Sequence, residues 1–159
     1  MILHEANKRL YLAFLILLCF VFSCKEKKLP HQITPSFYYW KSTLNLTHFE
    51  KQKLDSLKVK TIYLKFFDVD WDEAAGRPVP AAKLQTTGAE QLKGFSVIPT
   101  VFITNECIQK IDSSQIEKLA ENIYSLITEI KQANSFDSIP EIQIDCDWTD
   151  QSKEKYFHL

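Results

Sequence analysis

The sequence predicts an α/β fold built on parallel strands, in the form of a partial (β/α)8 barrel of about four β/α units. Three observations lead there. Short β-branched and aromatic runs alternate with helical segments instead of clustering together. Hydrophobic residues make up 45% of the chain and charged residues 25%, a composition that packs a core. The length of 159 residues suits one domain, whereas a complete (β/α)8 barrel takes ~250. The chain is therefore expected to be the N-terminal part of a longer barrel, ending inside a unit, or else a shortened α/β sandwich.

The first 23 residues read as an address. Lys8 and Arg9 precede a continuous apolar run from Leu10 to Phe22. That run is shorter than the ~20 residues a membrane-spanning helix needs and fits the core of a signal peptide. Val21-Phe22-Ser23-Cys24 then gives way abruptly to Lys25-Glu26-Lys27-Lys28. This resembles the lipobox of bacterial lipoproteins. The resemblance implies cleavage before Cys24, acylation of Cys24, and anchoring through lipid in the bacterial cell envelope, at the outer membrane or a periplasmic face. Residues 1–23 are thus the expected signal peptide, 24–35 a tether, and 36–159 the folded domain. Cys107 and Cys146 remain in the mature chain, where an oxidising compartment permits a disulfide without demanding one.

Each element has its own signal. Phe37-Tyr38-Tyr39-Trp40 is a first strand. Thr47 and Glu50 have capping-box spacing and open a helix, with Leu46, Phe49, Leu54 and Leu57 expected on one face. Thr61 to Phe67 is a second strand; Lys65 within it is read as an edge position, the alternative being burial beside a carboxylate. Residues 69–94 hold Pro78, Pro80 and all three glycines, and read as a long loop with room for one short helix. Val97 to Thr104 is a third strand, with Pro99 inside it. Ser114 and Glu117 have capping spacing before a long amphipathic helix carrying Ile116, Leu119, Ile123, Ile127 and Ile130. Glu141 to Asp147 is a fourth strand whose alternation sets Asp145 and Asp147 on one face. Ser152 to Leu159 opens another helix.

Several functions are excluded. Lys and Arg (19) nearly balance Asp and Glu (20), so no charge excess argues for nucleic acid. Gly76, Gly88 and Gly94 are too few and too dispersed for a phosphate-binding loop. No G-x-S-x-G, H-E-x-x-H or C-x-x-C occurs, and no cofactor is implied. His4, His31, His48 and His158 show no pairing with a nucleophile. Asp68, Asp70 and Asp72 have the start of a calcium loop, but Glu73 and Val79 stand where an EF-hand needs Gly and Glu. A divalent site of another kind at those three aspartates stays open.

The candidate site residues lie at strand ends, where α/β folds place their chemistry. Asp145 and Asp147 are the candidate catalytic carboxylates, with Trp148 beside them. Asp68, Asp70 and Trp71 repeat the D-x-D-W pattern at the end of the second strand. Tyr38, Tyr39, Trp40 and Lys41 end the first. Carboxylates accept hydrogen bonds from sugar hydroxyls and indoles stack on sugar rings. Ile144-Asp145-Cys146-Asp147-Trp148 resembles the fourth-strand motif D-G-x-D-x-D-W-E of chitinase-like glycoside hydrolases. Ile142 and Gln143 replace its leading D-G, and Thr149 stands where its general-acid Glu would be. More broadly, the chain resembles the N-terminal half of a glycosidase-like barrel of bacterial lipoproteins. That resemblance implies a lipid-anchored extracytoplasmic protein that acts on or binds carbohydrate, inactive as this chain. The alternative is a non-enzymatic glycan- or protein-binding lipoprotein, and unpaired sheet edges would favour self-association.

Overall fold

A computed structural model describes residues 34–159, apart from 87, 88, 137 and 140. The expected signal peptide, Cys24 and most of the tether lie outside the described residues. No helix among the described residues is long and apolar enough to cross a membrane.

The elements run β1 (Ser36–Tyr39), β2 (Thr43–Leu44), α1 (His48–Ser56), β3 (Thr61–Asp72), β4 (Arg77–Ala81), β5 (Gln85–Thr86), β6 (Ser96–Ile103), α2 (Asn105–Lys110), α3 (Ile116–Ala133), β7 (Gln143–Asp145) and α4 (Lys153–Tyr156). The main sheet has the order β1-β3-β6-β7, all parallel, with β4 added antiparallel to β3. β2 and β5 form a separate parallel ladder. The fold is therefore mixed α/β around parallel strands, and those of the main sheet are neighbours in chain order.

Apolar periodicity decides which face the helices cover. Ile62, Leu64, Phe66, Phe67 and Val69 of β3 join Val97, Val101 and Ile103 of β6 in one cluster. Leu54 of α1, Cys107 and Ile108 of α2, and Ile116, Leu119, Ile123, Ile127 and Ile130 of α3 pack against them. Each such side chain contributes about 2 kcal/mol of burial, which outweighs the weak intrinsic helix preference of β-branched residues. α1 is the poorer amphipath: Phe49 and Leu57, expected on its apolar face, are exposed and only Leu54 is buried. Its capping box forms as the sequence predicts, Thr47 accepting from the Glu50 N–H and Glu50 from the Thr47 N–H.

Four expectations are corrected. The stretch from 69 to 94 is not loop throughout: β3 continues to Asp72 and turns into β4, β5 follows, and the short helix expected in it is a 3-10 turn at Ala89–Leu92. The β3–β4 turn forms because Asp72 Oδ1 accepts the N–H groups of Ala74 and Ala75, while Gly76 takes a φ of +59° and donates to the Asp72 carbonyl. Pro78 and Pro80 are tolerated because β4 pairs on one side only. The fourth strand is shorter than Glu141–Asp147, its ladder with β6 spanning only Gln143 to Asp145. Ser114 does not cap α3; Asp112 takes up its N–H and O–H, and a 3-10 turn at Ser113–Gln115 leads into the helix. Lys65 is not at an edge but buried on β3, between β1 and β6.

Candidate site on the polar face of the sheet

The sheet's other face is polar and aromatic. Alternation sends Tyr38 and Trp40, Tyr63 and Lys65, Ile98, Thr100 and Phe102, and Gln143 and Asp145 away from the helices. None of these belongs to the hydrophobic cluster under the helices. In a regular strand, Lys65 and Asp68 would face opposite ways. The register of β3 on β6 slips at this point, Lys65 lying opposite Thr100 and Phe67 opposite Val101. Phe66 is the extra residue of a β-bulge and is itself buried in the core, stacked on Phe136 at 5.7 Å. The slip returns Asp68 to the face of Lys65.

Two polar pairs result. Lys65, only 6% exposed, donates to Asp68 Oδ2 at 2.9 Å and sits 5.2 Å from the centre of the Trp40 ring. Tyr38 donates to Asp145 Oδ2 at 2.7 Å, and the Gln143 amide donates to Asp145 Oδ1 at 2.8 Å. Side chains stand roughly perpendicular to a sheet, and β1 and β7 are separated by β3 and β6. Contact between Tyr38 and Asp145 therefore means that the sheet curls toward this face. Burial, then the bond to Asp145, pushes the Tyr38 phenol well above its ordinary pKa. The nearby Thr100 hydroxyl offsets a little of that rise, although no hydrogen bond of proper geometry joins the two.

Aromatic rings shield these groups. Tyr38 stacks on Tyr63 with centroids 6.1 Å apart, and Trp40 lies 5.3 Å from Tyr38 and 5.9 Å from Phe102. Trp40 remains 48% exposed, so one surface of its indole is open. Beneath the rings, Thr100 is fully buried. Its hydroxyl and Asp68 Oδ1 are buried polar atoms with no hydrogen-bond partner among the described residues.

The sequence-predicted residues divide between this face and elsewhere. Asp145, Asp68 and Trp40 lie on it. Asp147 is exposed and two residues beyond the end of β7. Trp148 packs against Phe157 at 5.5 Å, with the Lys153 ammonium 5.7 Å from its ring. Asp70 is exposed within the β3–β4 hairpin, opposite Val79, and not at a strand end. Trp71 packs against the hydrophobic core, on the helix side. Tyr39 is not a rim residue: it is 3% exposed and pins the chain, its hydroxyl donating to the Thr43 carbonyl and accepting from the Asn45 N–H. Lys41 pairs with Glu50 at the surface. Lys65, Thr100 and Gln143 were not singled out as site residues from sequence; strand parity alone would have placed Thr100 and Gln143 beside Tyr38.

Cys107 and Cys146 form no disulfide among the described residues. Among the described residues, no group of three or more His, Cys, Asp or Glu is placed to hold a metal ion. Asp68 and Asp72 are committed elsewhere, to Lys65 and to the hairpin turn. An apolar groove of about 400 Å³ lies on the helix side of β7, between α3, β7 and α4, lined by Ile123, Ile127, Ile144 and Phe157. No protein family, curated protein or solved structure matches the chain.

Proposed function

We propose that this is a lipid-anchored protein of the bacterial cell envelope that carries part of a glycosidase-related (β/α)8 barrel and binds carbohydrate without hydrolysing it. Parallel strands adjacent in chain order, with helices on one side and a curl toward the other, support the barrel reading. The observation that carries the binding reading is the gathering of an open indole, Trp40, with Lys65, Asp68 and Asp145 on the concave face. Indole surfaces stack on the apolar side of a pyranose, and buried carboxylates orient its hydroxyls.

Most glycoside hydrolases flank the scissile bond with two carboxylates, and the resembling chitinase-like motif supplies a general-acid Glu. Asp145 has each oxygen occupied by a donor from its own chain. Asp147 lies beyond the strand, and Thr149 occupies the place of the general acid in the resembling motif. The lipobox-like segment supports anchoring through acyl chains at Cys24, at ~0.8 kcal/mol per buried CH2.

Full-length protein in a detergent without a sugar headgroup is expected to bind a subset of a glycan array. Trp40→Ala should weaken that binding at least tenfold with little change in thermal midpoint. Aryl glycosides should release no chromophore. Turnover abolished by Asp147→Ala would overturn the non-hydrolytic reading, and an array without signal would overturn carbohydrate binding itself.

A further inference from the structure

We infer that the apolar groove between α3, β7 and α4 is the seam of a two-fold dimer, in which each copy seats Phe157 in the groove of the other. Of the eight large apolar side chains exposed among the described residues, four gather here. Tyr124, Ile142 and Phe157 line the groove, and Trp148 lies against Phe157 at 5.5 Å. Tyr124 from α3 and Phe157 from just past α4 are each 66% exposed, beside an opening of about 400 Å³. The same surface thus carries an apolar hollow and an apolar ring to fill one. That is what contact between like surfaces requires.

Area and charge favour a second copy as the occupant. With aromatic side chains at ~150–250 Å² each, the four exposed residues present roughly 450 Å² per copy. A standard interface takes ~800 Å² from each partner, about 56–65% of it apolar. The patch supplies that apolar share. No charged side chain lines the groove among the described residues. A two-fold contact sets groups near its axis against their own copies, so a charge there would meet its like at a cost; an uncharged seam avoids that. Strand addition is not the mode. The ladder of β7 spans three residues, and its Ile144 carbonyl already accepts from the Tyr156 hydroxyl at 2.7 Å. Side chains therefore make the seam, and it needs no carbohydrate.

The test is sedimentation equilibrium of the full-length protein in a density-matched detergent, with micelles in excess over protein. The mass should rise from one chain to two with concentration and stop there. Phe157→Glu places a charge in the seam and should raise the dimer dissociation constant at least tenfold. Ala120→Trp fills the groove from the wall of α3 and should do the same. Both should keep the wild-type circular dichroism, since neither position is buried. Phe49→Glu, at an equally exposed ring on α1, should leave the constant unchanged. A monomer at every concentration, or a dimer untouched by both groove variants, would overturn the inference. So would a mass that climbs past two chains, or equal weakening by Phe49→Glu. A persistent monomer that binds a fatty-acyl probe, with binding lost in Ala120→Trp, would assign the groove to an alkyl chain and overturn the dimer.

Discussion

Tyr38 and Asp145 meet at 2.7 Å although 107 residues separate them in the chain. One sits on the first strand of the main sheet and the other on the last, so a single hydrogen bond closes the arc of the sheet. Tyr38→Phe removes the donor and leaves the carboxylate one partner short. A hydrogen bond to a charged group is worth about 1.5–3 kcal/mol, and partial exposure places this one near the lower end. Urea unfolding should show the midpoint falling with an unchanged slope; an unchanged midpoint would mean the bond contributes nothing to closing the sheet.

The same phenol fixes an alkaline limit. Burial and then Asp145 raise the Tyr38 pKa above its unfolded value of about 10. Its contribution is therefore fully present below pH ~10 and is lost as pH rises through the folded value. Tyr63 and Tyr156 are also raised, so tyrosinate absorbance should show several groups ionising late, the last of them absent from Tyr38→Phe. Between pH 10 and 11.5 the wild type should lose stability more steeply than the variant.

Lys65 and Asp68 form a pair with side chains 7% and 20% exposed. Lys65→Met strands a carboxylate with one oxygen already unpaired. Breaking such a pair should cost about 3 kcal/mol. Adding Asp68→Leu should recover most of that, because a matched apolar pair avoids the desolvation that the ion pair carries. Chemical denaturation of the two single variants and the double variant gives the coupling. A double variant no more stable than Lys65→Met would show that this face depends on its charges for folding.

The two described thiols should be slow to react. Burial raises Cys107 to about 12, with Asp70 and Cys146 adding to it, and raises Cys146 to about 11, with Asp147 adding. The thiolate is the nucleophile, so at pH 8 alkylation of Cys146 should run roughly a hundredfold slower in the native protein than in urea. Cys107, wholly buried, should be slower still. Peptide mass mapping after brief labelling reads both sites. Native Cys146 alkylated as fast as the unfolded chain would contradict its burial.

Helix α1 depends on its cap more than on its face. With Leu54 its one buried residue, the Thr47 cap is a large share of what holds it. Thr47→Ala should cost about 1 kcal/mol. The Glu50 carboxyl is held below its ordinary range by the Thr47 N–H and hydroxyl and by Lys41. That contribution is present above the unfolded value near pH 4.3 and fades as pH falls through the folded one. Acid titration of stability should be flatter below pH 4.3 in Thr47→Ala than in the wild type.

Local signals with a mechanism were legible in the sequence. The Thr47–Glu50 box, the period of α3 and the alternation of strands with helices all lead to the elements observed. The β3–β4 hairpin was not, because its turn is made by the Asp72 side chain and one left-handed glycine amid prolines that read as loop. The candidate site was half legible. Asp68, Asp145 and Trp40 stood out by residue type. Tyr39 misled because an aromatic residue next to a surface one carries no sign of its side; only the strand's parity, with Tyr38 outward and Tyr39 inward, assigns it. Lys65 was misjudged because its partner lies three residues on, a distance that brings strand residues together only across a slip in register.

Phe66 works like a stitch dropped into a fabric of period two. Everything in β3 after it keeps time with a count that begins there. Were the same residues paired without that slip, Asp68 would face the helices and Phe67 would turn out to water, with the composition unchanged. The polar face is thus written in spacing as much as in chemistry.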